Sequence, residues 1–157
     1  LQIGNGETLD FEDETFDGGY SQHVTMNIKN RKEFFSEAYR VLKKGTFFAF
    51  SEHGLGPKGN PIFPLPWADT SEMSFLLSPE STISLLKEIG FYDIQIIETS
   101  EKYISGYEKM INSKSKKENP ILGIHVIGGP TMKQRSRNSM QCIKEKRTLP
   151  FEIVCKK

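Results

Sequence analysis

The chain has 157 residues, with 21 Lys and Arg set against 20 Asp and Glu for a net charge of +1. That length suits one modest domain with a real core, and so even a charge balance argues against a surface built for nucleic acid or anionic membrane. With 36% hydrophobic and 26% charged residues, no apolar run of membrane-spanning length and no signal-like leader, it reads as a globular cytoplasmic protein.

Strand-like and helix-like runs alternate along the chain, the pattern of an α/β layered domain. Phe16 to Ser21 is a short strand entered from an acidic turn and interrupted by Gly18-Gly19. Arg31 to Lys43 is a helix, with Phe34, Phe35, Ala38, Val41 and Leu42 on one stripe, Asn30 as N-cap and Gly45 as the stop. Thr46 to Ser51 is a buried strand rich in aromatics. Four prolines (Pro57, Pro61, Pro64, Pro66) and three glycines break residues 53–77, which read as one long loop.

Ser78-Pro79-Glu80 opens the next helix, with Ser78 as cap, Pro79 at the first helical position, Ile83, Leu86 and Ile89 inward and Gly90 at its end. Tyr92 to Glu98 is a strand. Glu101 to Asn119 is polar and Lys-rich, and residues 99–120 read as a mobile helix or lid. Ile121 to Ile127 is apolar and strand-like. Gly128-Gly129-Pro130 ends it, and a helix follows with Met132, Ser136, Met140 and Ile143 on one side. Phe151 to Cys155 closes the chain as a strand. The two cysteines, Cys142 and Cys155, have neither metal-like nor redox spacing and are expected to be reduced thiols.

The stretch GNGETLDFEDETFD (residues 4–17), the helix end RVLKKGT (residues 40–46) and the later segments PLPWADTSEMSFLLSPE and NPILGIHVIGGP come in a telling order. Together they resemble the C-terminal portion of a class I S-adenosylmethionine (SAM)-dependent methyltransferase. Within that group the likeness is to the glycine, sarcosine and dimethylglycine methyltransferases and to tocopherol-type small-molecule methyltransferases. The resemblance implies a partial Rossmann-like α/β sheet, mostly parallel with an antiparallel last strand, over residues 1–157. The N-terminal half of such a domain, with its Gly-rich loop and ribose-binding acid, is not among these residues. Gly4-Asn5-Gly6 does not supply that loop, because it runs into a turn and opens no helix.

The resemblance also implies a site. Asn5, Gly6 and Glu7 match the adenine-contacting stretch, with Asn5 where the family carries an acid. An amide carbonyl still accepts a hydrogen bond, without the assistance of charge. Lys44 and Thr46 replace the usual Pro and second Gly of a turn. Ser21, Gln22 and His23 follow the first strand, at the sheet edge where open α/β folds bind ligands, and belong between cofactor and substrate. His23 reads as a structural residue or as the catalytic base. Glu52 and His53, after the second strand, read as a solvated loop start or as substrate-binding residues. Trp67, the only tryptophan, closes a pocket over the substrate or buries its own loop.

His125 reads as core, Arg40 with Glu37 as a structural pair, and the basic run from Met110 to Lys117 as a solvated face. The expected chemistry is in-line methyl transfer from SAM to a small molecule, such as an amine like sarcosine or dimethylglycine, with no metal. The alternative is a catalytically silent binding or assembly module that completes a split enzyme. A strand left open at the sheet edge invites self-association.

Overall fold

The computed structural model describes residues 2–112 and 129–157. The expected strand at 121–127, His125 and the 113–120 part of the polar segment lie outside them. The described sheet has four strands: β1 (Gly19–Gln22), β2 (Phe47–Leu55), β3 (Tyr92–Glu98) and β4 (Thr148–Lys156), in the order β1-β2-β4-β3. β1 and β2 run parallel, and β4 runs antiparallel to both β2 and β3. The mixed sheet with its antiparallel last strand is thus the one that the resemblance implies.

The helices are α1 (Arg31–Val41), α2 (Pro79–Ile89), α3 (Ser100–Asn112) and α4 (Met132–Lys144). α1 and α2 lay their apolar stripes on one face of the sheet. Phe35 and Leu86 meet Phe48 and Phe50 of β2 and Phe151, Ile153 and Cys155 of β4, all nearly inaccessible to solvent. Each buried phenylalanine contributes about 1.5–3 kcal/mol of transfer free energy. Cys142 and Cys155 are both buried free thiols.

Several boundaries differ from the sequence reading, β4 for one running over Thr148–Lys156 rather than Phe151 to Cys155, and three of them show a neighbour competing for the backbone. β1 begins at Gly19 rather than Phe16, since the Phe16 N–H donates to Val41 O (2.9 Å) and its carbonyl accepts from Lys43 N (2.9 Å). The same pair of bonds draws Leu42 into an extended conformation and ends α1 at Val41. β2 continues through Leu55 because β4 pairs with it along its whole length, Leu55 opposite Thr148. Asn30 precedes α1 without capping it; its side-chain amide donates instead to Glu7 Oε2 at 3.1 Å.

The second helix is as read. Ser78 Oγ accepts from Ser81 N at 3.2 Å, Pro79 opens the first turn, and Gly90 closes it in the left-handed region. The Pro-rich loop is fastened to α4. Asn138 Nδ2 donates to Pro64 O (3.0 Å), Arg135 Nη1 to Leu65 O (2.8 Å), and the Ile62 N–H points to Cys142 Sγ (3.1 Å). No described helix is long and apolar enough to cross a membrane.

Candidate active site

Two depressions lie along the rim of the parallel pair β1–β2. The first is a cavity of about 700 Å³ whose lining includes His23, His53, Trp67, Tyr103, Tyr107 and Met132. That volume falls within the range of small-molecule pockets. The imidazole of His53 stacks on the Trp67 indole (centroids 4.6 Å apart, 26° between planes) and meets the Tyr103 ring edge to face at 5.0 Å. The His23 ring is 5.8 Å from that of His53 and within hydrogen-bond reach of the Tyr103 phenol. Trp67 is oriented by its own bond, Nε1 to Ser74 Oγ at 3.0 Å.

Burial sets the charge of this wall. Desolvation pushes His53 down to about 3, with repulsion from His23 adding to it. Burial also lowers His23, which Glu152 partly offsets. Tyr103 is pushed up to about 12 and Tyr107 is raised, again mainly by burial. At neutral pH the two imidazoles and two phenols are therefore uncharged. The Nδ1 atom of His53 is buried and has no hydrogen-bond partner among the described residues. A buried polar atom left unpaired costs free energy and gains from a polar group entering beside it.

The second depression, about 640 Å³, is a groove along β1 whose lining includes Gly6, Phe16, Gly18, Ser21, Gln22 and Phe34. Its rim is held by the Asn5–Thr8 turn, in which Asn5 Oδ1 accepts from Glu7 N at 3.0 Å and Thr8 N donates to Asn5 O at 3.1 Å. The following loop is pinned to α1. Arg40 donates to Leu9 O and Phe11 O and pairs with Glu37, which in turn accepts from Leu9 N at 2.7 Å. The Arg40 hydrogen bond draws the Glu37 carboxyl down to about 2. At Gly6 a Cβ would stand 2.8 Å from the Phe34 ring, so only glycine keeps the turn this close to α1.

The donor chemistry of this groove fits the nucleoside end of SAM. Its floor is glycine and aromatic carbon that a flat base can cover. Among the described residues, the Asn5 side chain is engaged only by Glu7 N, which leaves a carbonyl lone pair and both amide hydrogens unused at the rim.

The structure thus brings His23, His53 and Trp67 into one cavity and leaves Gly6, Ser21 and Gln22 in the groove. Asn5 and Glu7 form the turn at the groove's rim. Glu52 lines neither depression. Its side chain is fully buried, 2.7 Å from Arg31 Nη1 and hydrogen-bonded to Thr25 Oγ1. Burial raises its carboxyl, while Arg31, Thr25 and Thr82 hold it back. Tyr103 and Tyr107 escaped the sequence reading. Their i, i+4 spacing on α3 puts both phenols on one face, and that spacing was the available signal. Among the described residues no three His, Cys, Asp or Glu side chains gather as a metal centre would require.

Residues 1–50 match a protein family described as a methyltransferase domain. The chain is 32% identical over 130 residues to the biotin biosynthesis bifunctional protein BioHC of Teredinibacter turnerae, covering 80% of this chain and 21% of that protein. Among solved structures it resembles a putative sarcosine dimethylglycine methyltransferase from Galdieria sulphuraria (TM-score 0.76, 16% identity, 99% of this chain and 58% of that one). It also resembles the Haemonchus contortus phosphoethanolamine N-methyltransferase 2 solved with phosphomonomethylethanolamine and S-adenosylhomocysteine (TM-score 0.73, 18% identity, 98% and 36%). The chain therefore spans about a fifth of the curated relative's length and between a third and three fifths of these structures. Residues 1–50 thus match a methyltransferase domain, and the chain has the fold of the methyltransferase structures it resembles.

Proposed function

We propose that this portion of a methyltransferase domain supplies the acceptor side, and part of the nucleoside side, of methyl transfer from SAM to a small molecule in the cytoplasm, an amine such as sarcosine or dimethylglycine being the favoured class. The observation that carries the reading is the convergence of His23, His53, Trp67 and Tyr103 on one cavity at the carboxyl end of β1 and β2. Ligands in open α/β sheets sit at that rim. Uncharged aromatic faces hold an alkylated nitrogen by cation–π attraction when it is charged and by contact when it is neutral. Bound there, SAM supplies a methyl group on a cationic sulfur. The chain's part is to align the acceptor and keep water out, which is most of what such a displacement asks of a protein. Asn5, Gly6, Glu7, Ser21 and Gln22 hold the nucleoside, and His53 and Trp67 hold the acceptor.

The test is calorimetry of the full chain with SAM, followed by detection of S-adenosylhomocysteine formed with sarcosine or dimethylglycine. We expect saturable SAM binding and acceptor-dependent product, with Trp67→Ala raising KM about tenfold or more. The absence of both binding and product would overturn the reading. It would favour the second one, a silent module that completes its domain or pairs with another chain through β1. The observation behind that second reading is the open side of β1, where Tyr20 is 83% exposed.

A further inference from the structure

Tyr103 stands on the first turns of α3, a helix that ends no strand of the parallel pair, yet its phenol oxygen lies 2.7 Å from His23 Nε2. His23 sits at a constrained point of the backbone just past β1. Its backbone occupies the left-handed region (φ 53°) and its N–H donates to Ser51 O at 2.9 Å. Non-glycine residues hold such a conformation at a cost, and they do so where their surroundings require it. The phenol is kept protonated by its surroundings and the imidazole neutral. With the ring's hydrogen on Nδ1, the hydroxyl donates and Nε2 accepts, which leaves the lone pairs of the phenol oxygen free to receive a further hydrogen bond. His53 is the other imidazole of the cavity, and burial denies it a proton down to a pH of about 3.

We propose that Tyr103 and His23 form a two-member proton relay for the methyl acceptor, whose attacking atom is accordingly a nitrogen or oxygen that carries hydrogen. This rests on the methyl-transfer reading above. Bound SAM supplies an electrophilic methyl carbon whose bonding pair to sulfur withdraws to give a neutral thioether. The lone pair of the acceptor's nitrogen or oxygen forms the new bond to carbon, and that atom then holds a surplus proton. Tyr103 Oη takes this proton while the phenol's own hydrogen crosses to His23 Nε2. The tyrosine ends as it began and the histidine ends as imidazolium. The half-exposed His23 then releases its proton to water. The groups facing the pair are Lys102 and Tyr107 of α3, His53 of β2 and Glu152 of β4. Of these, Glu152 favours the transient imidazolium.

Two measurements test the relay. Nitrogen-15 NMR of the full chain reads the His23 tautomer and titration directly, with no acceptor present. We expect hydrogen on Nδ1 in the wild-type chain. In Tyr103→Phe, loss of the donor to the neutral ring should raise the titration midpoint by about half a pH unit or more. An unchanged tautomer and midpoint overturn the pair. In the second measurement, S-adenosylhomocysteine formation is followed against pH with sarcosine and with a catechol. Tyr103→Phe should lower kcat about 100-fold with KM within about twofold, and the acid limb of its profile should move up together with the NMR midpoint. If Tyr103→Phe does not fold, as read by Trp67 emission, His23→Gln takes its place with the same expected loss. Full activity in the folded variant overturns the relay and leaves the methyltransferase reading standing. No product from the wild-type chain with either acceptor overturns that reading and the relay with it.

Discussion

Glu52 and His53 are neighbours in sequence and point to opposite sides of β2, and their chemistry follows from that. Glu52 turns toward α1 and α2 and is closed off with Arg31, while His53 turns toward the cavity between Trp67 and Tyr103. Removing one member of a buried ion pair strands the other without solvent, so Glu52→Ala should lower folding stability by about 3–5 kcal/mol in urea denaturation. His53 carries the pH dependence. Its pKa falls from an ordinary 6.5 to about 3 on folding, so between those values the unfolded chain binds the extra proton. Stability contributed by this group is complete above pH 6.5 and is lost as the pH falls toward 3, by no more than about 1.4 kcal/mol per pH unit. Denaturation midpoints of the wild-type chain compared with His53→Gln between those pH values measure it, and the variant should show the shallower slope. Both residues could be named from their place after a strand. Which of them meets the cavity depends on the alternation of β2 and on what packs against each face.

At the scale of elements, the caps of α2 and the limits of β3 were legible, while the limits of β1, β2 and β4 and the cap of α1 were not. Ser78-Pro79 and Gly90 bound α2 where they stand because caps act through their own backbone. β1, α1 and β2 have limits set by partners far along the chain, such as Val41 for Phe16 and Thr148 for Leu55. The junction of β2 with the turn before β4 is tight. Gly56 N donates to Arg147 O at 2.8 Å, and a Cβ on Gly56 would stand 2.2 Å from Lys146 O, a backbone atom that cannot swing aside. Gly56→Ala should therefore cost about 1–3 kcal/mol of stability. Gly4→Ala, which meets nothing within 4 Å, should stay within about 0.5 kcal/mol. Thermal unfolding of the two variants separates them. The Pro-rich loop shows the same division. Its prolines mark it as a loop, but its attachment to α4 through Arg135, Asn138 and Cys142 has no local signature.

For the molecule as a whole, the described sheet closes on β3 at one side and stops at β1 on the other. β1 pairs with β2 alone among the described strands, and the apolar groove beside it holds Phe16, Val24 and Phe34. An unpaired strand edge beside apolar surface is a template for another chain. If the second reading holds, the mass of the full chain by light scattering should rise with concentration, and Tyr20→Lys should suppress that rise. A mass independent of concentration counts against it.

The sequence by itself determined the class of fold, the order of the described elements, α2 with its caps, and the positions near strand ends from which His23 and His53 reach the rim. Those features depend on local periodicity and on turn chemistry, which short segments carry within themselves. Tertiary structure alone decided that Glu52 is sealed beside Arg31, that Trp67 stacks on His53, and that Tyr103 arrives from 80 residues away at His23. These are contacts between elements, and burial, charge state and mutual orientation arise only once distant segments exclude water from one another.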